Sequence, residues 1–164
     1  MTSALDALQN ALASEHAAVY GYGLLIPQLT GPAREGALAA FDEHRNRRDR
    51  LRALVAALGV EPTETAAAYR AGDPVTGAAA ATKLATDLER DVALAFGELV
   101  AASSEATRMF AARSLQELAI RQTDWQHAAP RFPGLATDPT ATATPGPPQI
   151  AGPTPSPPPL PLLP

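Results

Sequence analysis

The chain has no cysteine, which excludes disulfides, thiolate metal sites, iron–sulfur clusters and cysteine nucleophiles. Aromatic residues are scarce, at 5% of 164 positions, and no pair of them is spaced to stack on nucleic-acid bases. Neither sign of charge predominates, with 13 Lys and Arg against 17 Asp and Glu. A net charge of −4 gives no reason to expect nucleic acid or an anionic membrane as partner. No stretch reaches the roughly 18 apolar residues of a membrane span. The opening MTSALDALQNALASEH has neither the basic start nor the apolar core of a secretory signal, so cytoplasmic residence is expected. GxSxG, HExxH and Gly-rich phosphate-loop motifs are missing, and no catalytic residue is assigned.

What is present is alanine-rich: 46% of residues are apolar, and alanine with leucine, arginine and glutamate is the composition of long helices. The character changes near Pro133-Gly134. Residues 136–164 hold one charged residue (Asp138), no aromatic and eleven prolines. Such a segment cannot bury enough apolar surface to offset the entropy of ordering it. Residues 1–133 are therefore expected to fold, and 134–164 to form a disordered, partly polyproline II tail. Its PSPPPLPLLP segment carries PxxP spacing, which suits an SH3-like partner and makes an adapter one functional possibility.

Within 1–133 four long helical patterns follow one another. The first runs from about Ser3 to Leu29, with Leu5, Leu8, Leu12, Glu15, Val19, Tyr22, Ile26 and Leu29 on one stripe. Thr30-Gly31-Pro32 stops it and starts a second, to about Leu58, with Ala37, Phe41, His44, Arg48, Leu51, Val55 and Leu58 facing inward. Residues 59–74 break the pattern with Gly59, Pro62, Gly72 and Pro74, with one short helical piece between Thr63 and Arg70. A third helix spans about Val75 to Ala102. Ser103-Ser104 caps a fourth, which runs to about His127 and carries Ala111, Leu115, Leu118, Gln122 and Trp125 on one face. The short first and third connections require antiparallel hairpins. The middle one, about 16 residues, can extend roughly 50 Å, longer than a 25-residue helix. It can run the length of the bundle and make helices two and three parallel, the all-α ferritin-like topology.

A bundle core should be apolar, so polar residues inside the stripes are the candidate site. Glu15, His44 and Glu89 are each near mid-helix and can meet at one depth, with His16 at the edge of the first seam and Arg48 one turn after His44. One reading makes Glu15, His44 and Glu89 ligands of iron or manganese, which accept oxygen and imidazole donors. A di-iron bundle also requires Glu-x-x-His on two helices. That pattern is absent: Phe41 stands three before His44, Ile120 three after Glu117, and Asp124 with His127 lies at a helix end. The other reading is a buried charge network of Glu15, His44, Arg48 and Glu89 that holds no cofactor, since each charge would be costly to bury alone. The basic run from His44 to Arg52 winds around the whole helix and reads as a solvated face.

The blocks LQNALASEHAAVYGYG, AFDEHRNRRDRLRALV and AAAYRAGDPV, and the closing Trp125-x7-Pro133-Gly134-Leu135, resemble a bacterial ferritin-like domain of unknown function over about residues 4–135. The resemblance implies the ferritin-like fold and, by analogy with ferritin-like proteins, a homodimer. In the wider group, which includes iron oxidases, oxygenases and stores, Glu15, His44 and Glu89 occupy positions resembling metal ligands.

Overall fold

The computed structural model describes residues 2–65 and 74–126 of the chain. The expected tail 134–164 and most of the short helical piece expected over Thr63–Arg70 lie outside them; Thr63, Glu64 and Thr65 are not helical. Among the described residues there are four α-helices and no strand: α1 (Ala4–Leu25), α2 (Gly31–Ala57), α3 (Gly77–Ala102) and α4 (Glu105–Gln126).

Each boundary has a local cause. Ser3 and Asp6 form a reciprocal capping box: Ser3 Oγ accepts from the Asp6 N–H at 3.1 Å, and Asp6 accepts from the Ser3 N–H. The α-helix stops at Leu25, four residues short of the expected Leu29, and Ile26–Gln28 continue as a 3-10 turn. Pro27 is the reason, because it has no N–H to donate and its ring crowds the carbonyl four residues back. Gly31 and Gly59 both have left-handed backbone (φ +54° and +74°), so glycine stands at the corner before Pro32 and at the end of α2. Helix α3 starts at Gly77, two residues later than expected. The Gly77 N–H donates to Gln28 Oε1 at 3.0 Å, which ties the start of α3 to the 3-10 turn that follows α1. At the tight link into α4, the Arg108 guanidinium reaches back to the carbonyls of Val100 and Ser103.

Apolar side chains form two clusters. One joins Leu8 and Leu12 of α1, Leu51 and Val55 of α2, Phe96 and Leu99 of α3, and Leu118 of α4. The other joins Tyr22 and Leu25, Ala37 and Ala40, Ala81 and Ala85, with Trp125 packed against it. The start of α1 therefore shares one end with the end of α2 and the end of α3, so α2 and α3 run in the same direction. The chain after α2 turns back along α1. Gln9 donates to the Glu61 carbonyl and accepts from the Thr63 N–H, each at 2.8 Å, and His16, two turns further on, contacts Thr63 and Thr65.

Close packing is uneven. Helix α1 packs on α2 and α3, and α3 packs on α4, whereas the α2 and α4 backbones stay apart. Gly21 permits the α1–α3 approach, since a Cβ there would lie 2.5 Å from Leu88 Cδ1. The α2–α4 seam is bridged by long charged side chains instead: Arg121 on Glu43, and Arg47 Nη1 at 3.6 Å from Glu117.

Candidate functional site

Between the two apolar clusters lies a layer of polar side chains drawn from all four helices. Glu15 comes from α1, His44 and Arg47 from α2, Glu89 from α3, and Arg121 from α4. Glu15, His44 and Glu89 are fully buried, and Arg47 retains 5% of its exposure. Tyr22, two turns after Glu15 and so on the same face of α1, reaches into the same layer.

His44 joins two carboxylates. Its Nδ1 is 2.7 Å from Glu15 Oε2 and its Nε2 is 3.2 Å from Glu89 Oε1. Arg47 Nε donates to the other Glu15 oxygen, Oε1, at 2.7 Å. Tyr22 Oη donates to Glu89 Oε1 at 2.5 Å, and Trp125 Nε1 donates to Tyr22 Oη at 3.1 Å. Arg121 Nε stands 3.5 Å from the same Glu89 oxygen. The layer is thus one connected chain from Trp125 through Tyr22, Glu89, His44 and Glu15 to Arg47.

Its electrostatics follow from burial and neighbours. Burial alone would lower the His44 pKa, but the charge and hydrogen bond of Glu15, and then those of Glu89, outweigh it and raise the pKa above the ordinary 6.5. Both ring nitrogens face carboxylate oxygens, which as anions only accept, an arrangement that suits an imidazolium donating from each. Arg47 Nη2 also lies 3.0 Å from His44 Nδ1. Two donors cannot bond each other, and that contact is explained by both cations converging on Glu15. Burial likewise opposes the Arg47 charge, and Glu15, Glu89 and Glu43 more than restore it. Tyr22 is pushed the other way: burial first, then the Glu89 charge, raise its pKa and keep the phenol a donor.

Two of the expected network residues stand elsewhere. Arg48 does not enter the layer; it pairs with Asp49 at 2.7 Å on a partly exposed surface. Its place is taken by Arg47. The buried face of α2 is Ala37, Ala40, His44, Arg47, Leu51 and Val55: Ala40 and Arg47 replace the expected Phe41 and Arg48, and the expected Leu58 is exposed. Phe41 is only half-buried, with the Arg45 guanidinium over its ring. His16 is buried but faces the crossover: Nε2–H donates to the Thr63 carbonyl at 3.2 Å, and Nδ1 accepts from Thr65 Oγ1 at 2.9 Å. Burial lowers its pKa, the Thr63 bond opposes this, and Arg48 and Arg52 add to the lowering. Tyr22 and Trp125 look like packing residues in the sequence, where no spacing rule marks a phenol or indole as a hydrogen-bond donor.

The two nitrogens of His44 point to carboxylates on opposite sides of the ring, so the three donors share no common point. Two guanidinium groups add positive charge beside them. Among the described residues no group of three His, Asp or Glu side chains is placed to hold a metal ion. Among the described residues, none hydrogen-bonds the buried Glu89 Oε2 atom.

Residues 7–137 match a family described as a domain of unknown function, DUF4439. The chain belongs to that family. The DUF4439 match contains every residue of the polar layer and extends past the end of α4. Among solved structures, the chain is similar to that of a conserved hypothetical protein, rv2844, from Mycobacterium tuberculosis. The two share 36% sequence identity and a TM-score of 0.70, over 74% of this chain and 92% of the other. No curated protein matches it. No helix among the described residues of this DUF4439 chain is long and apolar enough to cross a membrane.

Proposed function

We propose that this domain is a ferritin-like bundle serving as a structural or interaction module, in which the polar layer locks the helices together and no metal is held. The observation that carries this is the division of His44 between Glu15 and Glu89, with Arg47 closing the far side of Glu15. A metal would need both carboxylates and the imidazole to face one point, and would compete with two arginines. The ferritin-like assignment is supported by the parallel course of α2 and α3 and by the link that returns along α1. Homodimerisation belongs to the same reading, and sedimentation equilibrium at tens of micromolar showing a strict monomer would remove it.

The deciding experiment is elemental analysis of untagged protein, before and after anaerobic incubation with ferrous iron and manganese, on wild type and Glu15→Gln. The expected result is no stoichiometric ion in either, with Glu15→Gln melting at lower temperature in the complete absence of metal. One or two ions per chain, lost in Glu15→Gln, would instead establish a divergent metal-binding site.

A further inference from the structure

Where α2 and α4 stay apart, beyond the Glu43–Arg121 bridge, an open cavity of about 510 Å³ lies between the first turns of α2 and the last turns of α4. Small-molecule pockets span about 300–1,000 Å³, so its size suits one. Ala33, Gly36 and Ala39 of α2 form one wall, and Ile120 and Trp125 of α4 form the apolar part of the other. Ile120 is 65% exposed, an apolar side chain on the rim of an apolar wall. The Trp125 Nε1–H is committed to Tyr22 Oη, and the rest of the residue lines the cavity.

Glu117, Arg121 and Asp124 also line it, at i, i+4 and i+7 on one face of α4. Such spacing lets an arginine neutralise acidic neighbours on its own helix. Arg121 instead makes its ion pairs with Glu43 of α2 and Glu89 of α3. Even counting His44 as a cation, the connected group holds three positive side chains, His44, Arg47 and Arg121. They stand among four carboxylates, Glu15, Glu43, Glu89 and Glu117. Asp124 adds a fifth, with no ion pair among the described residues. Glu117 has only Arg47 Nη1 at 3.6 Å, a nitrogen it shares with Glu43 at 3.7 Å. The two least compensated carboxylates are therefore the two that line the cavity.

We infer that the cavity is a binding site for a linear aliphatic diamine, one ammonium at Glu117 and the other at Asp124, with the methylene chain lying along Ile120 and the alanine–glycine wall. Seven residues of helix set the carboxylates about 10 Å apart at 1.5 Å per residue. A zigzag chain with bonds of about 1.5 Å spans most of that in about seven bonds, the length of hexamethylenediamine. Arg121 stands between the two ends, but Glu43 and Glu89 already balance its charge. A dication supplies the missing charge, and its spacer removes apolar wall from water.

The test titrates the full chain at low ionic strength with hexamethylenediamine, hexylamine and trimethylenediamine, by calorimetry and by the emission of Trp125, the sole tryptophan. One hexamethylenediamine should bind per chain and change the emission saturably. Hexylamine lacks the second charge and trimethylenediamine lacks the reach, so each should bind about fivefold more weakly. In Glu117→Gln and in Asp124→Asn the diamine should lose its advantage over hexylamine, at unchanged helical circular dichroism. Gly36→Leu should fill the cavity and abolish the response. Gly23→Leu on α1 should leave it intact, since a Cβ meets nothing within 4 Å at either glycine. Equal affinity for the three amines, no saturable response, or full binding by Gly36→Leu would each overturn the proposal.

Discussion

Arg47 Nε lies 2.7 Å from Glu15 Oε1, an ion pair between α2 and α1 with both side chains almost wholly out of water. Removing one partner of such a pair leaves the other charge buried, which typically costs about 3–5 kcal/mol. Arg47→Ala is expected to destabilise the domain on that scale. Arg48→Ala, which loses only an exposed pair with Asp49, should cost about 1 kcal/mol or less. Urea denaturation of both variants checks the contrast, and equal losses would return Arg48 to the network.

The two buried histidines should give stability opposite pH dependences. The His44 pKa is raised above 6.5, so the folded state holds a proton that the unfolded state gives up. Its contribution is complete below about 6.5 and is lost as pH rises through the folded value. The His16 pKa is lowered, so the unfolded state takes up a proton first and stability falls as pH drops below about 6.5. Urea midpoints measured from pH 5 to 9 should decline on both sides, with His44→Gln flattening the alkaline limb and His16→Gln the acid limb.

Tyr22 donates to Glu89 and accepts from Trp125. Tyr22→Phe keeps the ring but leaves both partners short of a bond, which costs about 1–3 kcal/mol for buried groups. Denaturation measures the loss, and the altered Trp125 emission reports the broken indole bond. Unchanged emission would show that the indole bond is not made in solution.

Gln9 anchors the crossover through the Glu61 carbonyl and the Thr63 N–H and hydroxyl. In Gln9→Ala the Thr63 amide should lose hydrogen-exchange protection while the amides of α3 keep theirs. Protection retained at Thr63 would mean that His16 alone holds the link.

Much of the fold was legible locally. The helix starts and stops at Ser3, Pro32 and Gly59 depend on capping and φ preferences that act within a few residues. The shared depth of Glu15 and His44 was legible too, because helix rise is constant and a short link sets the register of their hairpin, whereas Glu89 sits on the second hairpin, beyond the long crossover. The choice of Arg47 over Arg48 was not. Residues three and four after His44 both neighbour it on α2, and they differ only by which adjoining helix each faces. The sequence pattern favoured the stripe containing Phe41 and Arg48, since a phenylalanine ordinarily outranks an alanine for burial.

Composition and periodicity alone thus determined an all-helical chain, the absence of thiol chemistry, the helix boundaries to within a few residues, and the three polar positions at mid-bundle. Tertiary structure decided which face of α2 turned inward, that His16 serves the crossover, that Tyr22 and Trp125 extend the polar chain, and that α2 and α4 leave a groove. The physical reason is range. Capping, propensity and rise act along one helix, whereas the partner of a buried charge is set by the orientation of helices far apart in sequence.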